Sequence, residues 1–208
     1  MSEPPPKGAA FRWYMDYNTY MNDQSNQVKT FTTKSGAQAT IRPLQRDDAQ
    51  VACDFIKTVS QEDTFVQFAG EHVSLEEEQR YIDTELELMG TENAVKLFCF
   101  VDGKLAGIAD VHRNVKVRTR KIHVGVFGLI VGKEFRGQGI GEVLMQTTID
   151  EAVRTMPGLR QIYLECFATN EAALHLYKKL GFTEVGRVPG GLYRQGQYID
   201  EVVMVKQV

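Results

Sequence analysis

Phe135 to Glu142 reads FRGQGIGE, three glycines in eight residues, set between the apolar run VFGLIV (Val126–Val131) and a helical pattern. In that pattern Ile140, Val143, Leu144 and Thr147 share one side, and Met145, Ile149 and Ala152 widen the apolar cover, as in a mostly buried helix. A strand that delivers such a loop to a helix N-terminus gathers free backbone N–H groups and the positive end of the helix dipole at one point. That point suits a phosphate. Gly137, Gly139 and Gly141 remove Cβ atoms so that the backbone can approach closely or take positive φ, and Arg136 adds a cation. The loop has no Gly-Lys-Ser/Thr ending, so it is not a Walker A loop. A dinucleotide fingerprint belongs in a first strand-to-helix turn followed by parallel strands, whereas three strands precede this loop. A tight turn whose glycines serve packing alone is the competing reading.

Outward from the loop the elements follow a regular order. A strand AQATIRP (Ala37–Pro43) runs into a helix in which Ala49, Ala52, Cys53, Ile56 and Val59 keep helical spacing. Ser74 precedes LEEEQRYIDTELELM as N-cap, with Glu77 at the capping-box position. The acidic residues of this helix suit a solvated face or the attraction of a cationic substrate. Three strands follow, AVKLFCFV, KLAGIADVHR and KIHVGVFGLIV, the first two joined by Asp102-Gly103, a two-residue hairpin turn. Past the glycine loop and its helix come a strand QIYLECF and a helix that Asn170 starts and Gly181 ends. Two strands near FTEVGRV and QYIDEVVMVK finish the chain, giving an α/β layered domain with a mixed sheet.

Composition sets the class. The chain has 208 residues, 43% hydrophobic and 25% charged, with a net charge of -3, which fits one globular domain and shows no nucleic-acid footprint. The basic cluster Arg113, Lys116, Arg118, Arg120 and Lys121 alternates with Val115 and Val117 and reads as a solvated strand or hairpin edge. Cys53, Cys99 and Cys166 stand apart inside apolar patterns and read as buried free thiols of a reducing compartment. His72, His112, His123 and His175 are scattered, so no metal is expected. MSEPPPKGAA has no apolar leader core, and no run nears 18 apolar residues. A cytoplasmic chain without membrane contact is therefore expected. Residues 1–36 form an N-terminal extension, disordered at its prolines, whose Phe11, Trp13, Tyr14, Tyr17 and Tyr20 need apolar cover, and 37–208 form the domain. A homodimer is left open.

The stretch LIVGKEFRGQGIGEVLM resembles the acetyl-CoA-binding motif of the GNAT superfamily of N-acetyltransferases, with Arg136, Gly139 and Gly141 at its fixed positions. LECFATNEAALHLYKKLGF is similar to the second motif of that family, with its asparagine, paired alanines, tyrosine and terminal LGF. The resemblance covers residues 37 to 206 and implies a mixed, mostly antiparallel central sheet of about seven strands flanked by about four helices. It implies that backbone groups of Leu129, Ile130 and Val131 hold the pantetheine arm like an added strand. Arg136, Gly137, Gln138, Gly139, Ile140, Gly141 and Glu142 would hold the pyrophosphate, and Asn170 and Tyr177 would also touch the cofactor. Many relatives carry a second basic residue at the position of Gly137, which leaves the phosphate grip weaker here.

Acetyl transfer to an amine needs a base for the ammonium proton and profits from an acid at the departing sulfur. Alternation in QIYLECF puts Ile162, Leu164 and Cys166 on one face and Tyr163, Glu165 and Phe167 on the other. Glu165 is thus a lone carboxylate between aromatics on a strand that otherwise reads as core, and desolvation there would tune it for general-base work. Relatives that acetylate the N-terminal alanine of a ribosomal protein carry a glutamate at this place. Tyr177 lies seven residues after Asn170, on the same helix face, and the resemblance implies that it is the acid. Cys166 faces away from Glu165, against an acyl-cysteine route. Glu134 and His123 are weaker base candidates, and the tail could bring Tyr193, Arg194, Tyr198 and Asp200 near the acceptor. The expected activity is direct transfer from acetyl-CoA to a primary amine in a ternary complex. A small amine (amino acid, polyamine or drug-like) is preferred as acceptor over a protein N-terminus or lysine. A non-catalytic coenzyme A-binding or partner-binding module is the alternative class.

Overall fold

The computed structural model describes residues 27–62, 65, 74–115 and 118–208. The aromatic run between Phe11 and Tyr20, His72 and Lys116 lie outside the described residues. Eight strands form one sheet in the order β1-β2-β3-β4-β5-β6-β8-β7. They are β1 (Lys29–Thr32), β2 (Gln38–Pro43), β3 (Ala94–Val101), β4 (Lys104–His112), β5 (Val124–Val131), β6 (Gln161–Phe167), β7 (Thr183–Arg194) and β8 (Gln197–Gln207). The helices are α1 (Ala49–Ser60), α2 (Leu75–Gly90), the short α3 (Arg118–Lys121), α4 (Ile140–Thr155) and α5 (Glu171–Lys179). Every strand pair is antiparallel except β5–β6. One strand more than the expected seven comes from β1, a short KTFT strand inside the segment read as an extension, which pairs with β2.

Local chemistry places the ends of these elements. Ser74 caps α2, accepting the Glu77 N–H at 3.2 Å while the Glu77 carboxylate takes the Ser74 N–H at 2.9 Å, the reciprocal pair expected there. Asp102 and Gly103, both at positive φ, close the β3–β4 hairpin. Asn170 caps α5 by accepting the Ala173 N–H at 3.2 Å.

The sheet is covered on both faces, and register decides what faces where. Leu97, Cys99, Val111, Phe127, Leu164 and Cys166 pack with Ile140, Leu144 and Met145 of α4 and with Tyr177 of α5. Phe98, Ile108 and Leu105 pack on the other face with Ala52, Phe55 and Val59 of α1 and Ile82 and Met89 of α2. Burying these side chains supplies the main driving force for the layers, at about 1.5 to 3 kcal/mol for each large one. The three cysteines are free and buried. Burial pushes the Cys99 thiol up to about 12 and Cys166 up to about 11.

The basic cluster differs from the expected strand edge. Its centre is the helix α3, and Arg113 is buried because its guanidinium donates to the Glu92 carbonyl at 2.7 Å and the Pro157 carbonyl at 2.6 Å. Alternation with valine suggested a strand, but partners outside the segment drew Arg113 inward. Among the described residues no helix is long and apolar enough to cross a membrane.

Candidate active site

β5 and β6 pair over only three positions, ending at Val126 opposite Tyr163. Beyond that point β5 stays paired to β4 as far as Val131, and β6 stays paired to β8 as far as Phe167. The two neighbours therefore part, and the far edge of β5 presents backbone groups without a strand partner. A cleft of about 1770 Å³ runs through this gap. Leu129, Ile130 and Val131 line it, as do Glu165, Cys166 and Phe167 from the facing strand.

At one end of the cleft stands the glycine loop. Gly139 is the N-cap of α4 with φ 84° and offers no side-chain cap, so the first N–H groups of the helix keep their donors for another acceptor. Gly137 is also left-handed at φ 75°. A Cβ at Gly137 would meet nothing within 4 Å, so backbone conformation rather than crowding calls for glycine there. Such a loop, with bare N–H groups at the positive end of a sixteen-residue helix, fits a diphosphate. Gly141 and Glu142 line the cleft as well. Ile140 is fully buried in the core, and the Gln138 side chain is turned away, donating to the Glu134 carbonyl at 2.9 Å and accepting from Ser35 at 2.7 Å. The Arg136 side chain folds back on its own loop: Nε donates to the Val131 carbonyl at 2.9 Å and the guanidinium pairs with Glu62 at 2.5 Å.

Asn170 and Tyr177 line the cleft from α5, the side expected for both. Tyr177 is 9% exposed and packs near Phe182, ring centroids 6.2 Å apart. Burial, and then the neighbouring Cys166, raise its phenol above the ordinary range, so it stays protonated at neutral pH. Glu165 lines the cleft from the face opposite Tyr177, but it is exposed. The desolvation expected from its aromatic neighbours is absent. Alternation settled which face it takes, while cover depends on distant segments. Glu201 on β8 lines the same stretch, and burial and then the Glu165 charge raise its carboxyl above the usual range. Glu134 and His123 are not among the lining residues, and of the four tail residues only Arg194 is, its guanidinium 4.5 Å from the centroid of Phe65. Tyr193 and Tyr198 meet in solvent in a tilted ring pair, centroids 5.3 Å apart.

The other end of the cleft holds a cluster that the sequence reading passed over. Lys96 sits opposite Asp110, Asp110 opposite Gly128, His112 opposite Val126, and Val126 opposite Tyr163. These residues thus share the α1/α2 face with Glu165. Lys96, 5% exposed, donates to the Tyr81 hydroxyl at 2.5 Å and lies 3.4 Å from Glu85 and 3.8 Å from Asp110. Burial alone would push its ammonium down, but Asp110, Tyr81 and Glu85 together hold it above the ordinary range. Burial likewise would push Asp110 up, but Lys96 and then His112 hold it below the usual carboxylate range. Asp110 takes His112 Nδ1 at 3.0 Å, and that bond raises the imidazole. On α2, burial raises Glu78, with Lys96 opposing. A lone lysine in AVKLFCFV and the alternating pair in ADVH were the available signals. Among the described residues no group of His, Cys, Asp and Glu is placed to hold a metal ion.

The family model of the acetyltransferase (GNAT) family matches residues 58–182, which include both cleft-lining motifs. The chain belongs to the acetyltransferase (GNAT) family. It is thus an acyltransferase of the GNAT type, and its mixed sheet with the parted β5 and β6 is a GNAT fold. The spermidine N(1)-acetyltransferase of Vibrio cholerae is 25% identical over 169 residues, covering 79% of this chain and 90% of that protein. A GNAT-family acetyltransferase from Streptococcus pneumoniae superposes with a TM-score of 0.74 at 29% identity, over 82% of this chain and 99% of that one. RimL, a ribosomal L7/L12 alpha-N-protein acetyltransferase solved in complex with coenzyme A, shares the fold at a TM-score of 0.71 and 17% identity, covering 88% of this chain and 98% of that one.

Proposed function

We propose that this GNAT chain moves the acetyl group of acetyl-CoA to a primary amine of a small cationic molecule, by direct attack in a ternary complex. The observation that carries this reading is one continuous cleft with a bare helix N-terminus at one end and a mainly acidic lining at the other. Lys96 is paired with Asp110 and Glu85, which leaves Glu78, Glu165 and Glu201 against Arg194 in the lining. Such a lining favours a cationic acceptor. Similarity to a spermidine acetyltransferase over most of both chains supports the same class.

Bound in the cleft, the cofactor supplies a thioester, an acyl group activated toward amines. The residues of this chain do the rest. The open edge of Leu129–Val131 holds the pantetheine arm by backbone hydrogen bonds, and the N–H groups from Gly137 to Glu142 hold the diphosphate. Asn170 uses its Oδ1 to cap α5, which leaves its amide NH₂ to donate into the cleft. Glu165 takes the proton from the bound ammonium, and Tyr177 keeps its own proton for the departing sulfur. The two stand on opposite faces of the sheet, so base and acid flank the gap between β5 and β6.

Release of free thiol from acetyl-CoA, measured with spermidine, single amino acids and alanine-initiated peptides, tests the proposal. Turnover highest with the polyamine is the expected result. Peptides turned over ten times faster would shift the acceptor to protein N-termini, and coenzyme A binding without turnover on any amine would make the chain a binding module.

A further inference from the structure

We infer that Lys34, on the turn between β1 and β2, is the cation that meets the cofactor's diphosphate. The inference rests on the acetyl-CoA reading above and assigns a residue outside the glycine loop. The loop itself presents little net positive charge. Arg136 is paired with Glu62, whose side chain is 11% exposed and whose second oxygen accepts the Lys133 N–H at 3.2 Å. A carboxylate so placed occupies the donors that a phosphate oxygen would seek. Gly137 brings no side chain, and Glu142 at the start of α4 is matched by Lys179 at 2.7 Å.

The turn carrying Lys34 is fixed against the loop from two directions. The Lys34 N–H donates to the Gln138 carbonyl at 3.0 Å, and the Ser35 hydroxyl donates to Gln138 Oε1 at 2.7 Å. Thr33, 4% exposed, braces the turn by accepting the Ala37 N–H at 3.1 Å. From this base the Lys34 stem lies over Gly139, where an added Cβ would stand 3.7 Å from both Cγ and Cε. Lys34 lines the cleft beside Gly137 and Gly139, and its ammonium has no hydrogen bond or ion pair among the described residues. An ammonium above the N-terminus of α4 adds a full charge to the partial one of the helix.

Calorimetric titration separates the alternatives, with coenzyme A and with its 3′-dephospho form, which keeps the diphosphate. Lys34→Gln should weaken both ligands about tenfold and flatten the salt dependence of binding, and Lys34→Arg should stay near wild type. Glu62→Gln, which releases Arg136, should restore part of the affinity lost in Lys34→Gln. Unchanged coenzyme A affinity in Lys34→Gln overturns the inference while leaving the cofactor reading intact. A loss seen with coenzyme A but absent with the dephospho form also overturns it, by assigning Lys34 to the 3′-phosphate. No recovery with Glu62→Gln overturns the neutralisation of Arg136 on which the argument depends. Wild-type protein that binds neither ligand overturns the cofactor reading and this inference together.

Discussion

The two ends of the cleft are built from different materials. The end proposed for the diphosphate is main chain: left-handed Gly137 and Gly139, an uncapped helix start, and a strand edge. The end proposed for the acceptor is side chain, with Tyr81 and Glu85 from α2, Lys96 from β3, Asp110 and His112 from β4, Glu165 from β6 and Glu201 from β8. A backbone site needs one contiguous stretch to specify it and serves any chain that uses the same donor. A side-chain site needs several strands in register, and a change at any of them alters what it accepts. The proposed cofactor grip and the proposed acceptor choice thus draw on different parts of the chain.

Breaking the ionic end should cost most. Lys96→Met leaves buried Glu85 and partly buried Asp110 without their shared cation, and unfolding by denaturant should show a loss of about 3 to 5 kcal/mol. A stability equal to wild type would mean that Lys96 does not hold these carboxylates in place. Glu165→Gln tests chemistry at the same end: turnover should drop about 10²-fold with coenzyme A affinity kept, and wild-type turnover would remove Glu165 from the mechanism. At the backbone end, Gly139→Ala forces a side chain to φ 84°, for a stability loss of roughly 1 to 2 kcal/mol. Gly186→Ala is the control, since φ there is not left-handed and nothing lies within 4 Å, and equal losses in the two would refute the conformational argument.

The finest test is a pH profile. The hydrogen bond to Asp110 raises His112 above its ordinary 6.5, with burial opposing and the Asp110 and Glu85 charges assisting against Lys96. A folded-state value above the unfolded one means that protonated His112 stabilises the fold. That contribution is complete below about pH 6.5 and fades as the pH climbs through the raised value. The stability gap between wild type and His112→Gln should therefore narrow from pH 6 to higher pH, and a gap that widens over that range would contradict the assignment.

What could be read from the sequence follows the same division. The glycine loop, the Ser74–Glu77 cap, the Asp102-Gly103 turn and the Asn170 cap are local, so each was legible from a few neighbouring residues. Alternation along QIYLECF put Glu165 and Cys166 on opposite faces, as observed, but could not say that Glu165 stays exposed. β1 escaped notice because KTFT is short and mostly exposed, with the β2 pairing to hold it in the sheet. Lys34 therefore fell in a segment with no visible link to the loop a hundred residues later. Asp110 was hidden for the same reason: its partner Lys96 is adjacent only after β3 and β4 pair.

The short pairing of β5 with β6 leaves a slit in a wall. In the ternary complex proposed above, the acetyl donor lies in that slit and the amine reaches it from the Glu165 face, so neither blocks the other's door. A catalyst arranged this way has no structural need for one guest to depart before the next arrives, so initial-rate lines should intersect, and parallel lines would show that the partition is not respected during turnover.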